Sequence, residues 1–92
     1  MRIAQIIDSL DVGGAEKMAI NYANALANHI DFSGIVATRK EGNLKYQIHP
    51  NVSYIFLNRK KTIDLKAVLT LKKYCKENKI THLQPHSSSY FT

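Results

Sequence analysis

Asp8-Ser9-Leu10-Asp11-Val12-Gly13-Gly14-Ala15-Glu16 is the stretch on which the reading of this chain turns. Ahead of it runs Arg2-Ile3-Ala4-Gln5-Ile6-Ile7, a mostly apolar segment with the character of a strand covered on both faces. Behind it, Ala15, Met18, Ala19, Tyr22, Ala23, Leu26, Ala27 and Ile30 recur at helical spacing, while Glu16, Lys17, Asn21, Asn24 and Asn28 fall mostly off that stripe. Strand, paired glycine and helix in this order present backbone N–H groups to an anion, because a helix's first turn has unpaired donors and a partial positive charge.

Working outward, Asp31 to Gly34 turn the chain back into a second strand, Gly34-Ile35-Val36-Ala37-Thr38. A loop with at most one helical turn comes next, and Val52-Ser53-Tyr54-Ile55-Phe56-Leu57, β-branched and aromatic, reads as the third strand. The basic Asn58-Arg59-Lys60-Lys61 leads to a second helix that starts near Thr62 or Asp64 and carries Leu65, Val68, Leu69, Leu71 and Cys75 inward. Ile80-Thr81-His82-Leu83-Gln84 is the fourth strand, closed by Pro85. Right-handed crossovers then give an α/β, Rossmann-like parallel sheet of about four strands in the order 3-2-1-4, with helices on its faces. Ligands of such sheets bind beyond the carboxyl ends of the strands, so the glycine loop and His86 are expected at one crevice.

The bulk properties fit one small domain. Ninety-two residues bury only about 60–65% of the surface that the unfolded chain exposes. An apolar content of 45% reads as globular. The single Cys75 cannot form an internal disulfide, and no Cys/His spacing resembles a zinc site, so no metal is expected. No apolar run is long enough to span a bilayer, and the expected location is the cytoplasm. Thirteen Lys+Arg against seven Asp+Glu give a net charge of +6, which favours anionic partners without choosing among them.

With both ends of the crevice identified, the opening Arg2 to Glu16, the helix Met18 to Ala27 and the tail His86-Ser87-Ser88-Ser89-Tyr90-Phe91 resemble the N-terminal part of the family 4 (group 1) glycosyltransferases of the GT-B fold. The resemblance covers essentially all of residues 1–92 as a partial, acceptor-side N-terminal domain. The family's C-terminal donor-binding domain, with its paired glutamates, has no counterpart in this stretch. It implies a hexosyltransferase-type activity that moves a sugar from a nucleotide-diphosphate donor to a saccharide or lipid-linked acceptor, with no separate cofactor and no activity expected of these residues alone. By position it makes Gly13, Gly14 and Ala15 the loop that approaches the donor diphosphate or the acceptor. Glu16 becomes the acidic end of a Gly-Gly-x-Glu pattern, His86 the catalytic strand-end histidine, and Ser87 a sugar contact. The family often carries a second histidine two residues before the first; here Gln84 stands there, with Pro85 between.

Other readings stay open beside it. Glu16 is also a carboxylate well placed in a first helical turn, His86 a loop histidine bonded locally, Ser87 a helix cap, and Asp8 and Asp11 turn formers. A module binding NADP or another nucleotide needs G-x-G-x-x-G after the first strand; only Gly13-Gly14 is present, although Arg39 and Lys40 come after the second. A basic, non-catalytic interaction domain would use Lys60, Lys61, Lys66, Lys72, Lys73, Lys76 and Lys79 on an anionic membrane, and the resemblance to glycosyltransferases that dock by a basic N-terminal face implies a peripheral position on the inner face of the membrane; no nucleic-acid motif or interleaved aromatics accompany them. An uncovered fourth strand also predicts self-association through Ile80 to Gln84 or a disordered tail from Ser87.

Overall fold

The computed structural model describes residues 1–10, 14–61 and 63–86, with the backbone alone at 14 and 15. The elements are β1 (Arg2–Ser9), α1 (Gly14–Leu26), β2 (Phe32–Lys40), a 3₁₀ turn (Asn43–Gln47), β3 (Ser53–Phe56), α2 (Leu65–Glu77) and β4 (His82–Pro85). All strand pairs are parallel and the sheet order is β3-β2-β1-β4, the doubly wound arrangement read from the sequence.

Two faces of the central strands make two cores. Side chains alternate along a strand, so Ile7, Ile35 and Ala37 pack with Leu10, Ala19, Ile20 and Ala23 beneath α1. Ala4, Ile6 and Val36 point the other way and pack with Leu71 and Tyr74 of α2. This double burial is why β1 reads as a near-continuous apolar run.

Both helices are rotated only part of the way from the phase expected: Ala19 and Ala23 of α1, Ala27 just beyond it, and Leu71 and Cys75 of α2 face the cores as expected, whereas other members of each stripe do not. In α1 the buried positions are Ala19, Ile20 and Ala23, while Met18 and Tyr22 are exposed. Small alanines allow close approach to the sheet, and Ile20 fills the remaining space, which turns the larger Met18 and Tyr22 outward. In α2, Ala67, Leu71 and Tyr74 face the sheet, whereas Leu65, Val68 and Leu69 are exposed rather than inward. Tyr74 sets that phase: its hydroxyl lies 2.9 Å from Ser53 Oγ on β3, and its ring meets Phe32 edge-on.

The ends of α2 have identifiable causes. Asp64 is the N-cap; its carboxylate accepts from the backbone N–H of Ala67 at 3.2 Å and of Lys60 at 2.9 Å. These bonds, the Lys60 one foremost, hold the Asp64 carboxyl below its ordinary pKa. At the other end Lys79 takes a φ of 52°, and Ile80 N–H donates to Cys75 O at 2.9 Å while Lys79 N–H donates to Lys76 O at 3.3 Å. That is a Schellman cap with lysine where glycine is usual.

β4 is shifted from the expected span and continues through Pro85 instead of ending before it. His86 N–H donates to Ile6 O at 2.9 Å, so the alternation of a parallel ladder turns His82 and Gln84 toward β1 and leaves Leu83 and Pro85 facing outward. The missing N–H of Pro85 falls on the outer edge, where no ladder bond is lost. His82, Leu83 and Gln84 are all exposed, so this strand is covered poorly on its faces as well as at its edge.

Candidate functional site

In the order β3-β2-β1-β4 the chain reverses its winding direction between β1 and β4, and ligands of open α/β sheets bind at that point, beyond the strands' carboxyl ends. Two predicted features lie at that end of the sheet, one after each of these two strands. α1 begins at Gly14, so Gly14 and Ala15 occupy a helix's first turn rather than a free loop, with Glu16 as the acidic side chain of that turn. His86 directly succeeds β4, and its ring centroid lies 6.1 Å from that of Tyr22 on α1. Gly13 and Ser87 lie outside the described residues, as does Asp11.

His86 is held at two points. Its backbone N–H is bonded to Ile6, and its Nε2 lies 2.6 Å from Oε1 of Gln5 in the middle of β1. Burial pushes the imidazole pKa below its ordinary value, because the charged form loses hydration. The local-backbone alternative for the ring is therefore replaced by a long-range side-chain bond. Gln5 is wholly buried, and its Nε2 has no hydrogen-bond partner among the described residues. An unmade bond of that kind costs about 1–3 kcal/mol, so the amide is a poor choice for packing alone. The sequence does not single out Gln5, because one polar residue in an apolar strand carries no spacing signal.

A second polar cluster sits on the α2 side of the same strand ends. Asp8, read from the sequence as a turn former, accepts from Thr38 Oγ1 at 2.9 Å and lies 3.5 Å from Arg59 Nη2. Arg59 is almost fully buried; its backbone N–H donates to Thr38 O and its Nη1 to Lys61 O at 2.9 Å. Asn58, with a φ of 55°, makes the turn that brings Arg59 back over β2. The cluster fastens the loop after β3 to the sheet. In the sequence, nothing distinguishes Arg59 from the two lysines beside it.

The predicted lysines fall elsewhere. Lys60, Lys61, Ile63, Asp64, Leu65 and Lys66 line an open cleft of about 470 Å³ at the start of α2, separate from His86. No group of three or more His, Cys, Asp or Glu is placed to hold a metal ion among the described residues. No helix among them is long and apolar enough to cross a membrane. Comparison of the chain with family models, with curated proteins and with solved structures returns no match.

Proposed function

We propose that the chain is the acceptor-side part of a GT-B glycosyltransferase that moves a sugar from a nucleotide-diphosphate donor to a saccharide or lipid-linked acceptor. One observation carries the reading: the first turn of α1 and His86 stand at the carboxyl ends of neighbouring strands, at the winding reversal of the sheet. Sugar transfer builds positive charge on the sugar and negative charge on the departing diphosphate. Helix N-terminal N–H groups are suited to the second, and a neutral imidazole can accept a hydrogen bond from a hydroxyl of the sugar or acceptor.

In this reading Gly13, Gly14 and Ala15 approach the diphosphate or the acceptor, and Glu16 orders the turn or contacts a hydroxyl. His86 faces the reacting sugar, with Ser87 as a sugar contact beside it or as the cap of a helix. The groups that hold the nucleotide belong to the family's second domain, so residues 1–92 alone transfer no sugar and bind the donor weakly. Titration of the chain with nucleotide-diphosphate sugars, monitored through its amide resonances, tests the assignment.

A membrane-facing surface accompanies this reading and suits a lipid-linked acceptor. Ile63, Leu65 and Leu69 are exposed to 78%, 73% and 64%. On α2, Leu65, Leu69, Lys72 and Lys76 fall at the i, i+4, i+7, i+11 spacing of a single outward stripe, with Lys66 and Lys73 beside it. Leucines that can enter the headgroup region next to lysines that meet lipid phosphates form an interfacial anionic-membrane surface.

A further inference from the structure

We propose that Gln5 is the positioning residue of His86: its carboxamide oxygen accepts the Nε2 hydrogen and fixes the neutral imidazole with its lone pair on Nδ1. Three observations point to it. Gln5 is fully buried in a central strand, paired with Ile35 on β2 and Gln84 on β4, where an apolar residue would fill the same space. The only hydrogen bond of its side chain among the described residues is the 2.6 Å contact to His86. The other end of the amide has no partner there, so among the described residues no wider polar network explains the glutamine.

The histidine is pre-set for this contact. The bond from His86 N–H to Ile6 O fixes its backbone one ladder step from Gln5, and Tyr22 flanks the ring from α1. The oxygen of the amide faces the ring, and an acceptor at that place requires a proton on Nε2. A neutral imidazole with Nε2 protonated carries its free lone pair on Nδ1, so the ring accepts a hydrogen bond from a ligand hydroxyl. It does not donate one to an anion until it is protonated. The hydroxyl-facing role in sugar transfer rests on the function proposed above; the tautomer does not.

Among the described residues, few groups face the ring. From α1 the titratable neighbour is Tyr22, from β1 the neutral Gln5, and burial alone lowers the pKa of His86. The imidazolium also donates Nε2–H to the same oxygen, so Gln5 favours the charged form relative to an apolar side chain.

The test is imidazole ¹⁵N NMR of the whole chain across a pH titration, in the wild type and in Gln5→Met and Gln5→Glu. The expected wild-type spectrum has a protonated Nε2 and a pyridine-like Nδ1 in the neutral form. Gln5→Met lowers the His86 pKa further, and Gln5→Glu raises it. An Nδ1-protonated wild type overturns the proposal, as does an upward shift in Gln5→Met, which would make the amide a donor. An unmoved pKa in both folded variants makes Gln5 a spectator and overturns it equally. Should either variant fail to fold, the wild-type tautomer alone decides. None of these readouts depends on sugar binding, so failure here and failure of the glycosyltransferase reading are separately visible.

Discussion

Gly34 lies under Tyr74 so closely that a β-carbon built on it would stand 2.6 Å from the tyrosine oxygen. Exposed tyrosine hydroxyls move away from such contacts at little cost, but this one is buried and bonded to Ser53 Oγ at 2.9 Å. A β-carbon would also come within 3.0 Å of the Phe32 ring. Gly34→Ala should therefore destabilise the fold by about 1–3 kcal/mol, the usual cost of overpacking. In a Tyr74→Phe background that cost should fall by more than half, since the nearest clashing atom is gone. Urea unfolding of the four proteins in the cycle measures it, and additive costs would show that the oxygen is not the obstacle.

Lys79 closes α2 in a left-handed conformation that costs an L-residue about 1–2 kcal/mol. Lys79→Gly should stabilise the protein by about 0.5–1 kcal/mol, because the gain is partly offset by the greater freedom of glycine in the unfolded chain. A raised denaturation midpoint with an unchanged slope is the expected result. A lowered midpoint would mean that the lysine side chain makes a contact worth more than the strain.

Leu65 and Leu69 are largely exposed, and their replacement should change stability little. A Leu65→Ser/Leu69→Ser double variant should nevertheless lose about tenfold in binding to anionic vesicles, given the transfer energy of partly inserted leucines. Sedimentation with phosphatidylglycerol and with phosphatidylcholine vesicles checks this. Binding should need the anionic lipid and weaken with salt. Equal binding to neutral vesicles, or none to either, would remove the membrane surface from the proposal.

The sheet is legible in the sequence because its central strands are covered on both faces and so have no alternation to misread: β1, β2 and the order 3-2-1-4 come from apolar runs and crossover handedness. Helix existence is legible for the same kind of reason, but helix phase is legible only in part. Apolar residues in α2 lie on two faces, and only the reach of Tyr74 to Ser53 selects the one that packs. Pro85 misleads the reading of β4, because proline stops a strand unless its nitrogen falls on an open edge, and that depends on pairing register. Within the site, His86 is visible as a strand-end histidine. Gln5 is not, because its partner is distant in the chain and a lone polar residue in a buried strand has no local signature.

The most direct test of a sugar-transfer crevice at the β1/β4 reversal is a two-dimensional NMR titration of the labelled chain with a panel of nucleotide-diphosphate sugars, NADPH serving as comparison. Binding in the millimolar range, about −4 kcal/mol, is expected of half a cleft. The largest shifts should fall on the amides of Gly14, Ala15 and Glu16 and on the ring of His86, and should depend on the sugar as well as the diphosphate. Shifts confined to the lysine cleft between Lys60 and Lys66, an equal response to NADPH, or no change at the β1/β4 crevice would contradict the glycosyltransferase assignment.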